Sequence, residues 1–139
     1  MAEVDNFLDE LAVQMPLSTS ERERIRALWP EAERAADECE RHMPTIGWLS
    51  FRKRYRAFMD ICQRLDRLQT DGSIDDEQAQ LALTLLRRRS RSYRKAENMF
   101  AARARGYSLG QRQQLPLTAQ QLIKAMQFPL QGSPDQNEE

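Results

Sequence analysis

The stretch from Trp48 to Asp75, WLSFRKRYRAFMDICQRLDRLQTDGSID, decides the fold. Trp48, Phe51, Tyr55, Phe58, Cys62 and Leu65 recur at steps of 3, 4, 3, 4 and 3, which draws one apolar seam along a helix. Met59, Ile61 and Leu68 widen that seam. Thr70-Asp71-Gly72-Ser73 should end the helix, since glycine takes the left-handed C-cap conformation without steric cost. Asp75-Asp76-Glu77 then sets negative charge at the positive end of a following helix.

That second helix is expected over Asp75–Arg105, a length of about 45 Å. Its seam reads Ala82, Leu86, Arg89, Tyr93, Ala96 and Phe100, with Leu85, Ser92 and Met99 alongside. Two amphipathic helices joined by a short turn form an antiparallel hairpin. Arg89 breaks the seam's apolar character. It must snorkel, pair with a carboxylate, or meet another subunit.

Outward from the hairpin the chain stays helical. Val4, Phe7, Leu8, Leu11 and Met15 mark a short amphipathic helix ending near Pro16. Ser18 and Glu21 have the spacing of a capping box, and Ile25, Leu28 and Trp29 form the buried side of the helix they open. Pro30 predicts a break, with one helix to about Leu28 and another over Glu31–Arg41. Beyond Gly106, Leu115-Pro116 suggests an extended stretch, after which Thr118 caps a short helix carrying Leu122, Ile123 and Met126. The division is then 1–44, an acidic helical region; 45–106, the hairpin; 107–128, an extended segment and short helix; and 129–139, a disordered tail. The fold class is all-α, in keeping with only 5 glycines among 139 residues and a preponderance of strong helix formers.

Composition narrows the function. No window approaches about 20 uncharged apolar residues, so no membrane span is expected. Met1–Asp9 is acidic and lacks the pattern of a signal peptide, and Cys39 and Cys62 sit inside helical patterns. Reduced thiols and a cytoplasmic location follow as the expectation. The formal net charge is zero, yet residues 1–50 hold 5 basic and 11 acidic groups while residues 51–112 hold 15 and 7. A basic middle lies between acidic ends.

The catalytic inventory is thin. His42 is the one histidine, at an acidic helix end. The glycines Gly47, Gly72, Gly106, Gly110 and Gly132 never cluster into a phosphate loop. Asp75-Asp76-Glu77 serves the helix dipole better than a metal ion, and Asp60, Asp66 and Asp71 read as surface pairs with basic neighbours. The expectation is a non-catalytic chain without cofactor or metal. The basic inventory is richer. Arg52, Lys53, Arg54 and Arg56 open the first hairpin helix, Arg87, Arg88, Arg89, Arg91, Arg94 and Lys95 lie midway along the second, and Arg103 and Arg105 near its end. In an antiparallel pair the first run should approach Arg94–Arg105 and merge into one positive region. Such a region binds polyanions by releasing condensed counterions, and the arginine fork suits phosphate. The alternative is a solvated face whose arginines pair with acids of the same or a neighbouring chain. Helices near 4–15, 20–28 and 31–42 also allow a helix-turn-helix with Arg22, Arg24 and Arg26 facing phosphate, against the acidic balance of that region.

Short N-terminal helices, a long hairpin, a basic segment and a C-terminal tail together resemble the small terminase subunits of tailed bacteriophages. The segment Gly106-Tyr107-Ser108-Leu109-Gly110-Gln111-Arg112-Gln113-Gln114-Leu115 is loosely similar to the one following the last long helix in a branch of that family. The resemblance implies a homo-oligomeric ring that recognises double-stranded viral DNA for packaging and presents it to the large terminase subunit, the ATPase and nuclease. It makes the hairpin an oligomerisation element, with Trp48, Phe51, Tyr55, Phe58, Leu86, Arg89, Tyr93 and Phe100 on it. Many members carry a basic helix-turn-helix where this chain is acidic. DNA contact is therefore expected on the hairpin, through Arg52, Lys53, Arg54, Arg56, Arg87, Arg88, Arg91, Arg94, Lys95, Arg103 and Arg105. The competing reading is a helical adaptor or virion structural protein that binds only other proteins.

Overall fold

A computed structural model describes residues 2–44 and 50–126, all helical apart from turns. Seven helices are found among them: α1 Ala2–Gln14, α2 Thr19–Arg41, α3 Phe51–Thr70, α4 Asp76–Arg89, α5 Arg91–Ala104, α6 Leu109–Gln113 and α7 Leu117–Ala125. Trp48 and the expected tail at 129–139 lie outside the described residues.

The seam of α3 buries as its spacing demands. Phe58, Cys62 and Leu65 are fully buried, and Phe58 stacks on Phe100 of α5 at 4.4 Å between ring centroids. Tyr55 also meets Phe100, and Phe58 meets Tyr93. Arg103 lies over the Tyr55 ring. Position numbers rise along α3 as they fall along α5, so these two helices form the antiparallel hairpin. Each large side chain buried here contributes about 2 kcal/mol relative to exposure. The turn after α3 is a Schellman motif: Gly72 has φ +83°, Ser73 N donates to Leu68 O at 2.9 Å and Gly72 N to Gln69 O at 3.2 Å.

The second hairpin helix departs from expectation. It breaks at Ser90, whose backbone is extended (φ −121°, ψ 113°) and whose hydroxyl accepts a hydrogen bond from Tyr93 N. The break lets the two halves follow different partners. α5 packs on α3, whereas α4 packs mainly on α2. Arg24 of α2 meets Glu77 at the start of α4, and Glu33 meets Arg89 at its end, so α2 and α4 run parallel. The hairpin is thus α3 with α5, and α4 belongs to the layer beside it.

Pro30 does not break α2, which runs unbroken from the Ser18–Glu21 capping box to Arg41. Proline removes one backbone hydrogen bond, but Trp29, Ala32, Ala35, Ala36 and Cys39 form one continuous buried stripe across it. Burial on both sides outweighs the missing bond. The segment expected to be extended contains α6, opened by a capping box of Ser108 and Gln111. Thr118 lies inside the first turn of α7 rather than capping it, because Pro116 occupies the N-cap and offers no side-chain bond. Asp66 of α3 supplies the cap instead. Its carboxylate accepts from Leu117 N at 2.8 Å, Thr118 N at 2.7 Å and the Thr118 hydroxyl at 2.6 Å. Asp66 is therefore a tertiary helix cap, not a surface ion pair. Asp71 accepts from Ser73, while Asp60 does pair with Arg64.

Candidate nucleic-acid interface

The basic residues divide into a closed set and an open set. The closed set lies at the end of α4. Arg87 grips Glu97 through both prongs, at 2.6 and 2.7 Å, and the Tyr93 hydroxyl donates to the same carboxylate at 2.5 Å. Glu97 is only 3% exposed while Arg87 keeps 36% of its side chain in water, so the buried carboxylate is fully bonded by a half-buried guanidinium and a buried hydroxyl. The Glu97 hydrogen bonds push the Arg87 pKa up, and burial first, then Glu97, pushes that of Tyr93 well up. Arg88 pairs with Glu10 and lies over the Phe7 ring. Arg89 binds Glu3 at 2.7 Å, Glu33 at 2.5 Å and Asp37 at 2.8 Å. Of the three fates open to Arg89, pairing with carboxylates is realised, within its own chain.

The open set has two parts. At the first, the start of α3 meets the end of α5. Arg52, Lys53 and Arg56 are exposed and make no ion pair among the described residues. Arg54 is half-buried, and its buried Nε has no hydrogen-bond partner there. Exposed Arg103 stacks over Tyr55 at 4.8 Å, and the Tyr55 and Tyr107 hydroxyls share a 2.7 Å hydrogen bond. Burial, then that bond, pushes the Tyr55 pKa up to about 12. Arg105, the residue that follows α5, is exposed but is not without a partner. The second part is the first turn of α5, with Arg91 and Arg94 exposed and Lys95 half-buried. Arg94 donates to the Arg87 carbonyl at 2.8 Å. Arg94 stands nine residues before Arg103, about 14 Å along the axis, so the single merged region is two adjacent ones.

Both open parts violate a local rule. The first turns of α3 and α5 hold basic residues and no acid, at the positive end of each helix dipole. The first turn of α4, by contrast, holds Asp76 and Glu77. Basic side chains there are mildly destabilising, and the described residues contain no carboxylate to compensate Arg52, Lys53 or Arg91. An anion bound at either place relieves the strain.

No family model, curated protein or solved structure matches the chain. The reading of this surface rests on its own geometry.

The residues grouped for oligomerisation divide as well. Phe58, Leu86, Tyr93 and Phe100 are fully buried inside the chain, and Arg89 is held by its three carboxylates. These side chains build the fold and leave a second copy nothing to grip. Phe51 is 52% exposed at the open end, where Tyr55 is half-buried. Arg22, Arg24 and Arg26 pair with Asp9, Glu77 and Asp5, and the unbroken α2 removes the short recognition helix of a helix-turn-helix. The acidic partners Glu3, Glu10, Glu33 and Asp37 were not singled out from the sequence, although the charge partition signals them.

Two grooves lie elsewhere on the surface. One, of about 770 Å³, is largely apolar between Phe7, Ile25, Leu28, Leu81 and Leu117. The other, of about 570 Å³, sets Arg34, Arg41, Arg64 and Arg67 against Glu31, Glu38 and Asp71. Neither pairs a nucleophile with a base. Among the described residues no group of three or more His, Cys, Asp or Glu side chains is arranged for a metal ion, and no helix is long and apolar enough to cross a membrane. Burial pushes the Cys39 thiol up to about 12 and Cys62 well up, which leaves both poor nucleophiles.

Proposed function

We propose that this chain is a non-catalytic double-stranded DNA-binding protein that grips the phosphate backbone with the open end of the α3–α5 hairpin. One observation carries the reading: two helices begin on basic residues that no carboxylate pairs with among the described residues, Arg52, Lys53 and Arg54 on α3 and Arg91 on α5, while Arg94 beside it donates to the Arg87 carbonyl. Stability alone selects acids at those positions. A departure from a local rule without internal compensation is the expected mark of a functional surface. Exposed Arg56, Arg103 and Arg105 extend the surface, and Tyr55 and Tyr107 brace it. The order of helices, as in small terminase subunits, suggests the setting: a homo-oligomeric ring that recognises viral DNA and presents it to a large terminase subunit. With the hairpin seam used internally, assembly falls to exposed apolar residues such as Phe51, Leu109 and Met15.

A second reading has an observation of its own. Arg88 and Arg89 are matched to carboxylates on α1 and α2, so the same chemistry at the open end suits an acidic partner protein in a virion or adaptor complex. Native mass measurement and a mobility-shift assay with a random duplex at two salt concentrations separate the two. The DNA reading expects a discrete oligomer and binding whose log–log salt slope is about −4 to −5, for about five phosphate contacts. A chain that ignores duplex at low salt overturns it in favour of the adaptor.

A further inference from the structure

Helix α1 carries four acids, Glu3, Asp5, Asp9 and Glu10, and no basic residue. Each faces an arginine of α2 or α4. Glu3 reaches Arg89 at 2.7 Å and Asp5 reaches Arg26 at 3.2 Å. Asp9 lies 3.8 Å from Arg22, and Glu10 contacts Arg88. The rest of the hold is apolar. Val4 and Leu8 are fully buried, and Phe7 meets Trp29 at 5.6 Å between ring centroids. The ion pairs are largely exposed to water, where salt screens them. A 13-residue helix is too short to persist alone in water, and α1 is joined to the body through the short link Met15–Ser18. It belongs to the least stable part of the molecule.

What α1 covers continues the basic surface. Arg88 and Arg89 immediately precede Arg91, Arg94 and Lys95, the open cluster on α5. A guanidinium fork that binds a carboxylate binds a phosphate with the same geometry. If α1 leaves, Arg89 keeps Glu33 and Asp37. Arg22, Arg26 and Arg88 keep no carboxylate among the described residues.

We propose that α1 is an acidic strap that competes with nucleic-acid phosphate for Arg22, Arg26 and Arg88, so that the chain exposes its full basic surface only when the strap is displaced. The inference rests on the DNA-binding reading above. Bound duplex then drives α1 off, and weakening α1 strengthens binding. The strap also gives specificity for dense polyanions, since an isolated phosphate lacks the charge to replace four carboxylates.

Two full-length variants of equal charge test this. Asp5→Asn with Glu10→Gln loosens the strap, and Glu23→Gln with Glu40→Gln removes two exposed acids of α2 that form no ion pair with an arginine among the described residues. Affinity for a 25-base-pair duplex is measured at several salt concentrations around 0.15 M, where a distant charge is screened beyond about 8 Å. Hydrogen exchange of residues 2–14 in the unaltered protein, with and without duplex, reports the strap directly. The expected result is about tenfold tighter binding by the first variant with the same number of phosphate contacts, since duplex displaces the strap in both chains. The second variant should change affinity less than about twofold, and exchange in 2–14 should accelerate on binding. Equal affinities for the two variants, or residues 2–14 that stay protected in the complex, overturn the strap and leave the DNA interface standing. Absence of binding by all three chains overturns both.

Discussion

At the end of α4, Arg87, Arg88 and Arg89 each meet at least one carboxylate, and one of those, Glu97, is buried. At the start of α3, Arg52, Lys53 and Arg56 meet none among the described residues, although they form a run of similar density. The difference lies in what the fold brings opposite each run. α4 ends against the acidic α1 and α2, so its arginines bind the layers of the molecule together. α3 begins beside the end of α5, itself basic, so its cations repel and face outward. A count of positive residues measures neither stability nor binding until their partners are known. The same guanidinium is structural at one end and available at the other.

The sharpest way to break this contrast is at the closed end. Glu97→Ala leaves the buried Tyr93 hydroxyl without its acceptor, at a cost of about 1–3 kcal/mol, and leaves Arg87, whose side chain is 36% exposed, to water. The urea midpoint should fall accordingly, with no change in slope. Combining Arg87→Met, Tyr93→Phe and Glu97→Leu should recover most of that loss, because no charge or buried hydroxyl is then left without a partner. If Glu97→Ala alone is neutral, the pair is not structural and the closed end is no different from the open one.

At the open end the same kind of change should move binding and spare the fold. Arg52→Ala with Arg56→Ala should lower the salt slope of duplex binding by about two, and weaken binding at low salt by more than about tenfold. Stability should hold or rise by about 0.5 kcal/mol, since a cation is removed from the positive end of the α3 dipole. A variant that loses stability instead of binding would make Arg52 and Arg56 scaffold residues. That result would erase the distinction between the ends.

The legibility of each end follows from how far its determinants lie apart. The α3 seam can be read because helical burial repeats over three and four residues, all within one stretch, and Gly72 marks its end by a requirement of its own backbone. Arg89 is visible as an anomaly, but Glu3, Glu33 and Asp37 stand 86, 56 and 52 positions away, where no local pattern reaches. The same holds for Asp66, which caps α7 from 51 positions away and frees Thr118 for another role. Ser90 breaks a helix whose apolar period continues across it, because α4 and α5 bury against different neighbours. Periodicity records that a face is buried and is silent about what buries it. The basic candidates could be named from the sequence for the same reason that their availability could not: charge is local, and its compensation is tertiary.

Acid offers the gentlest test of the contrast, because only one end contains carboxylates to protonate. Glu3 is held below its ordinary 4.5 by its hydrogen bond to Arg89, and Glu10 by its hydrogen bond to Arg88. A carboxyl depressed in the folded state contributes its full stability above its unfolded value. That contribution is lost as pH falls from there through the lower folded value. The hold on α1 should therefore be constant from neutral pH down to about 4.5 and weaken below it. The contacts of α3 with α5 are made by aromatic rings and have no counterpart loss there. Amide NMR signals of residues 3–14 should move toward unfolded positions below that pH while those of Phe58 and Phe100 stay in place. Salt at about 1 M and neutral pH, with a screening length near 3 Å, should shift the same α1 signals in the same direction. Movement of the α3 and α5 signals in step with α1 would mean that the molecule unfolds as one unit, and that the acidic helix is no more separable than the hairpin.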